Sequence, residues 1–402
     1  MCCLGGIKTI VIPTKPLKRT NIRLLFRLTI IVVLIGAIVS AVTLTTKPET
    51  PVVFVGMDIA YGGEEVAINL IDKVSDYVNL IILGSLNLTT NTEALTRVCN
   101  HIYEKGLHFI IYVGFAKEGY TPPRGPNVQF FTTAPEKWGD KFLGVYLFDE
   151  VGGKLMDGAH SVDLKGAEDY SQAAISYVNQ LNFFLGNTSD YYNPATFKLF
   201  SSDYALYWYD YLSGYDVIFG EFVGNHSREI TTALCRGAAK TLTKDWGVMI
   251  TWAGQLEPFL EEPEKVYTDM VFAYQNGAKY IVVFNSPENF SQAQYGGLTA
   301  RQLDAIKEFW TYKETAPNKQ FSANAAYVIP KDYGYSFRGP NDRVWGKWEL
   351  DSLSTPLWND LNNQLTIYGS NLDIVYETKI GNQTIKPPYD KLIFWNGTII
   401  KN

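Results

Sequence analysis

VVFVGMDIAYGGEEVAINLIDKV, residues 52–74, decides the fold. A β-rich apolar run ends at Asp58, a Gly-Gly turn follows, and an amphipathic helix is predicted over Glu64–Val74. The same unit recurs eight times up to residue 313. Further apolar runs lie at 78–84, from 107 (LHFIIYVGF), at 142–150 (FLGVYLFDE), 197–203 (FKLFSSD), 215–221 (YDVIFGE), 246–252 (WGVMITW) and 279–285 (KYIVVFN). Helices are predicted near 93–105, 133–138, 168–185, 228–242, 263–276 and 299–312. Strands that are apolar almost throughout, rather than alternating, suit a parallel sheet covered on its outer face. Eight such units predict an α/β chain with a closed (β/α)₈ barrel over 52–314, whose chemistry gathers at the C-terminal ends of the strands. Two long loops at that end, 116–127 and 151–165, are rich in glycine or proline; the second contains Gly152, Gly153, Gly158 and His160.

Working outward, the 402 residues carry a net charge of −6, which excludes a general nucleic-acid binder, because phosphate contacts need a basic face. Aromatics are abundant, with 26 Tyr and 9 Trp. The charge is uneven: no acid precedes Glu49, whereas Lys8, Lys15, Lys18, Arg19, Arg23 and Arg27 are basic. The uncharged stretch 28–44 (LTIIVVLIGAIVSAVTL) follows them. With residues 24–26 it approaches the length of a bilayer-spanning helix. The expected organisation is therefore a basic cytoplasmic tail (1–27), a signal anchor in the lipid bilayer (28–44), a tether (45–51) and an extracellular remainder. The rival is secretion after cleavage near Ser40-Ala41-Val42. Six N-x-S/T sequons, at Asn87, Asn187, Asn225, Asn289, Asn382 and Asn396, fit an exported glycoprotein. Cys99 and Cys235 fall on apolar helix faces and read as buried free thiols rather than a bridge.

Beyond a polar linker at 315–322, residues 323–402 show a smaller pattern: strands at 325–329, 372–376 and 391–395 and a helix at 358–368. This is a compact α/β unit without the G-x-G-x-x-G of a nucleotide site.

Carboxylates stand at four strand ends: Asp58, Asp149 with Glu150, Asp203 and Glu221. Asp149 and Glu150 follow an apolar run and precede a glycine loop, and alternation lets one face the mouth while the other faces the wall. Paired carboxylates across a barrel mouth suit glycoside hydrolysis, one protonating the leaving oxygen, the other attacking the sugar or activating water. Glu150 and Glu221 are the acid/base candidates, and Asp149 is the candidate nucleophile or orienter. Asp58, Tyr61, Tyr112, Asp203, Trp208, Trp252 and Asn285 are expected to contact the sugar. The histidines form no H-x-H or H-E-x-x-H, and neither G-x-S-x-G nor a P-loop is present, so no metal and no cofactor is expected. The alternatives are a carbohydrate-binding or structural surface protein on the same scaffold, or a non-glycosidic enzyme using the same mouth.

GVYLFDE, SSDYALYWYD and VIFGEF together resemble an archaeal-type (β/α)₈ glycosidase-like ectodomain. In the retaining α-galactosidase and α-glucosidase superfamily an Asp nucleophile follows strand four and an acid/base follows strand six, which the resemblance maps onto Asp149 and Glu221, with Glu in place of the usual Asp. The retaining β-glycosidase clan implies an acid/base Glu after strand four, matching Glu150, and a nucleophile after strand seven, where this sequence has no acid before Glu257. The tail resembles the amidotransferase-like accessory domain of some β-galactosidases.

Overall fold

The computed structural model describes residues 52–114, 126, 128–159, 162–188, 197–251, 253, 261–285, 298–316, 321–377, 379–380, 383–384 and 388–401. Its strands β1 (Phe54–Ile59), β2 (Leu80–Leu83), β3 (His108–Val113), β4 (Phe142–Leu147), β5 (Lys198–Asp203), β6 (Val217–Phe222), β7 (Asp245–Ile250) and β8 (Tyr280–Asn285) close in sequence order into a barrel, β8 pairing in parallel with β1. The (β/α)₈ fold expected from the repeats is therefore the fold observed.

The principal outer helices are α1 (Glu64–Val74), α3 (Thr92–Glu104), α4 (Val128–Trp138), α6 (Tyr170–Thr188), α8 (Arg228–Leu242), α9 (Pro263–Gln275) and α10 (Ala300–Thr315). Three short helices follow strand ends, α2 (Leu86–Thr89), α5 (Val151–Met156) and α7 (Tyr207–Ser213), and α5 lies in the segment 151–165 expected as loop. Good local caps set several boundaries. Ser227 accepts from the Ile230 N–H at the start of α8, and Thr299 with Gln302 forms a capping box on α10.

Alternation along each strand divides the core in two. Phe54, Leu80, Ile82, Ile110, Tyr146, Phe200, Phe219, Met249, Tyr280 and Val282 fill the barrel interior, and the intervening residues pack against the helices. The inward rows end at the mouth in Asp58, Tyr112, Tyr146, Ser202, Glu221, Thr251 and Phe284.

After α10 comes a four-stranded sheet in the order β10-β9-β13-β14, from β9 (Ala325–Ile329), β10 (Leu372–Tyr376), β13 (Lys391–Phe394) and β14 (Ile399–Lys401). The first three are parallel and β14 is antiparallel. Helix α11 (Ser354–Tyr368) precedes β10, and a two-stranded ribbon, β11 (Lys379–Ile380) with β12 (Gln383–Thr384), follows it. The sheet is docked on the barrel. The buried Arg236 of α8 donates to Asp373 of β10 at 2.7 Å, and a Cβ on Gly237 would stand 2.4 Å from the Ile374 carbonyl oxygen. Only glycine permits that approach.

The expected single-pass membrane placement is corrected here. No helix among the described residues is long and apolar enough to cross a membrane, and the stretch 28–44 lies outside the described residues. Cys99 and Cys235 are buried free thiols, as their helix positions suggested.

Candidate active site

At the C-terminal end of the barrel lies a cavity of about 310 Å³ lined by Asp58, Tyr61, Tyr112, Tyr146, Asp149, Glu150 and Glu221 together with Gly84, Met249, Thr251 and Phe284. One oxygen each from Asp149, Glu150 and Glu221 lies within 4.8 Å of the others. Two elements create this convergence. Glu221 extends the inward row Val217, Phe219 on β6. Asp149 and Glu150 sit in the sharp turn from β4 into α5. Phe148 (φ +51°) and Glu150 (φ +56°), on either side of Asp149, both hold left-handed backbone conformations. For a non-glycine residue that costs about 1–2 kcal/mol, and such strain concentrates at functional sites.

Asp203 explains how the turn is held. Its row on β5 runs Phe200 and Ser202 inward, so Asp203 points outward, away from the cavity. Its carboxylate accepts N–H bonds from Gly152 (2.6 Å), Gly153 (2.7 Å), Tyr204 (2.8 Å) and Ala205 (3.0 Å). It thereby caps the start of α5, which begins one residue after Glu150. A Cβ on Gly152 would lie 2.8 Å from the Ala205 carbonyl oxygen. The expectation that Asp203 contacts sugar is corrected: it is a buried anchor for the turn. Burial lifts its carboxyl to about 7 against the pull of the Gly152, Gly153 and Ala205 amides.

Ser202 links the two sides of the site. Its hydroxyl lies 3.0 Å from Asp149 Oδ1 and in short contact with Glu221 Oε1. The Tyr146 hydroxyl is in short contact with Asp149 Oδ1 and 2.7 Å from Ser202 Oγ. Two hydroxyl protons cannot serve all these contacts. If Tyr146 and Ser202 both donate to Asp149, the proton between Ser202 and Glu221 must come from Glu221 as a carboxylic acid. Electrostatics agree. Burial, then the Glu150 and Asp149 charges, push the Glu221 carboxyl well above its usual range, and among the described residues the buried Glu221 Oε2 has no hydrogen-bond partner. Burial and the Asp149 charge raise Glu150 to about 7, with Lys154 opposing. Lys154 Nζ stands 3.1 Å from Glu150 Oε2 and 3.4 Å from Asp149 Oδ2, and donates to the Asp149 carbonyl at 2.9 Å. Asp149 thus gathers two hydroxyls and an ammonium, the donor set that suits a carboxylate anion.

The three carboxylates are also the one group among the described residues spaced to hold a metal ion, although Lys154 already pairs with two of them. Of the other expected contact residues, Asp58, Tyr61 and Tyr112 line the cavity. Trp208 does not. It is buried under the C-terminal sheet, its ring 5.5 Å from that of Tyr376, and the expectation of sugar stacking is corrected accordingly. Trp252 lies outside the described residues, and Asn285 is described only as the last residue of β8, paired in register with Ile59. Ser202 and Lys154 escaped sequence reasoning, and so did the contact of Tyr146, a strand-end aromatic, with Asp149. The signals were available: Tyr146 and Ser202 are inward positions of period-two rows, and Lys154 stands four residues after Glu150.

No protein-family model and no curated protein matches the chain. Among solved structures it is similar to a β-galactosidase from the Antarctic haloarchaeon Halorubrum lacusprofundi, at 10% identity and TM-score 0.54, covering 85% of this chain and 68% of that one. It is also similar to a GH5_18 protein from Streptomyces cattleya solved with GlcNAc (10% identity, TM-score 0.52, 87% and 100% covered). A third is a GH5_18 protein from Bifidobacterium longum subsp. longum solved with Manβ1-4GlcNAc (14% identity, TM-score 0.50, 87% and 97% covered). At these identities the likeness establishes a shared (β/α)₈ barrel fold. Coverage of 87% exceeds what residues 52–314 alone could supply, so the likeness runs on into the C-terminal sheet.

Proposed function

We propose that the chain is a glycoside hydrolase that works through paired carboxyl groups with retention of configuration. The observation that carries this is the meeting of Asp149, Glu150 and Glu221 oxygens within 4.8 Å inside a walled cavity at the barrel mouth. That spacing suits the short carboxyl separation of retaining enzymes, about 5–5.5 Å, rather than the 6.5–9.5 Å or so that leaves room for water. In this reading Asp149, held as an anion by Tyr146, Ser202 and Lys154, attacks the anomeric carbon. Glu150 and Glu221 share the acid's work. Burial keeps a proton on the pair, which passes to the leaving oxygen and is recovered from water in the second step. Asp58, Tyr61 and Tyr112 wall the sugar on the other side. The C-terminal sheet, three parallel strands closed by one antiparallel strand, is read as an accessory unit of the amidotransferase-like type.

The test is a panel of aryl glycosides and oligosaccharides offered to the full chain, with product configuration followed by proton NMR from the first minutes. Turnover with retained configuration is expected. Sugar binding without turnover across the panel would make the barrel a carbohydrate-binding scaffold, and inverted product would exclude Asp149 as nucleophile.

A further inference from the structure

The β1 side of the cavity holds a carboxyl that the two-carboxylate reaction does not use. Asp58 ends the inward row Phe54, Gly56, Asp58; it is 7% exposed and lines the cavity, and its buried Oδ1 has no hydrogen-bond partner among the described residues. Gly84, on the neighbouring strand end, makes space for it, since a Cβ there would come 2.3 Å from that oxygen. Burial and the Asp149 charge push the Asp58 carboxyl well above its usual range, against the pull of the Gly84 backbone amide. A buried carboxyl with no counter-charge among the described residues keeps its proton, and such a group in the wall of a cavity is a candidate ligand contact.

The rest of the wall narrows the ligand's chemistry. Among the described residues the lining includes four carboxyl groups and no lysine, arginine or histidine. The Lys154 ammonium is already paired with Asp149 and Glu150. Uronic, sialic, sulfated or phosphorylated sugars would enter against this charge. A neutral sugar would meet the protonated Asp58 carboxyl through hydroxyl hydrogen bonds alone, with no charge to pair. A divalent cation is poorly matched, because Asp58 is not among the carboxylates whose oxygens converge. An ammonium group satisfies the carboxyl, and the aromatic walls of Tyr61, Tyr112 and Phe284 favour a cation as well as a sugar face.

We propose that this cavity receives an amino sugar with a free ammonium group, and that Asp58 is the anionic partner of that ammonium. The assignment rests on the hydrolase reading for the bond cleaved, but its test reads binding and stands apart from turnover.

The experiment is calorimetric titration of the full chain with a tetramer of glucosamine, its fully N-acetylated counterpart and a mannose tetramer, at a pH where the sugar amine is charged and at two salt concentrations. The glucosamine tetramer is expected to bind about tenfold or more tighter than either neutral tetramer, the scale of one charge-assisted contact. The preference should shrink with added salt and disappear in Asp58→Asn and in Asp58→Ser, with circular dichroism confirming that each variant is folded. The comparison of tetramers on the unmodified chain holds even if both variants misfold. Equal or tighter binding of the neutral tetramers overturns the proposal, as does a preference that survives both substitutions. Mn²⁺ or Ca²⁺ binding that Asp58→Asn abolishes would assign the carboxyl to a cation site and also overturn it. Hydrolysis confined to neutral glycosides would remove the amino-sugar assignment and leave the hydrolase reading standing.

Discussion

Glu221 and Asp373 are both buried carboxyls, 2% and 0% exposed, yet their surroundings differ in kind. Asp373 joins the C-terminal sheet to the barrel. One oxygen accepts from Arg236 Nε and the other from the Tyr389 hydroxyl, each at 2.7 Å. The rest of the Arg236 guanidinium is spent on Asn276, Ser370 and Leu372 oxygens. Glu221, in the wall of a cavity, has one oxygen on Ser202 and one with no hydrogen-bond partner among the described residues. Burial raises both carboxyls, opposed at Asp373 by the Arg236 charge and reinforced at Glu221 by Glu150 and Asp149. A raised pKa alone therefore does not separate a structural carboxyl from a reactive one. The two differ in the charge beside them, a guanidinium at Asp373 and two carboxyls at Glu221.

The sharpest break between the two regions comes from removing each charge. Asp149→Asn and Glu221→Gln should each lower kcat/KM by about 10²–10⁴-fold, the span of acid–base and nucleophile losses, while thermal unfolding shows Glu221→Gln no less stable than the parent. Arg236→Met should do the reverse. It strands the Asp373 carboxylate in the interior and should cost about 3–5 kcal/mol in denaturant unfolding, with kcat per folded molecule unchanged.

A pH series sharpens the contrast further. Glu150 binds its proton more tightly folded than unfolded, its carboxyl rising from 4.5 to about 7. The folded state therefore holds more protons over that window, and stability should fall as pH rises from about 4.5 to 7. Glu150→Gln should make this decline in the melting temperature shallower, leaving the share that belongs to Asp203. In the same series kcat/KM should begin to fall above about pH 7, as Glu150 gives up its proton. The smallest effect belongs to Trp208. Trp208→Phe should cost about 1 kcal/mol of stability through lost packing on Tyr376, and KM for any sugar should not move. A raised KM would return Trp208 to the sugar site.

The barrel was legible because eight apolar runs recur with helices between them, and parallel sheets leave that mark strongly. The meeting of Asp149, Glu150 and Glu221 was legible because strand ends converge in this fold. Asp203 misled for a reason that one further step of the same logic exposes: Ser202 takes the inward position, and alternation turns Asp203 to the wall. Trp208 misled because residues after a strand end can turn back beneath a neighbouring layer, and the docking of the C-terminal sheet is a long-range event with no local pattern. The left-handed turn at Phe148 and Glu150 was also invisible, since neither residue type advertises that conformation.

The most direct test of the central claim is to trap the sugar on the protein. The full chain would be incubated with a slowly released, 2-fluorinated glycoside of the sugar chosen by the panel, then digested and mapped by mass spectrometry. A covalent glycosyl adduct on Asp149, absent from Asp149→Asn, is the expected result. Turnover with the adduct on another residue, or turnover that Asp149→Asn leaves intact, would contradict the account.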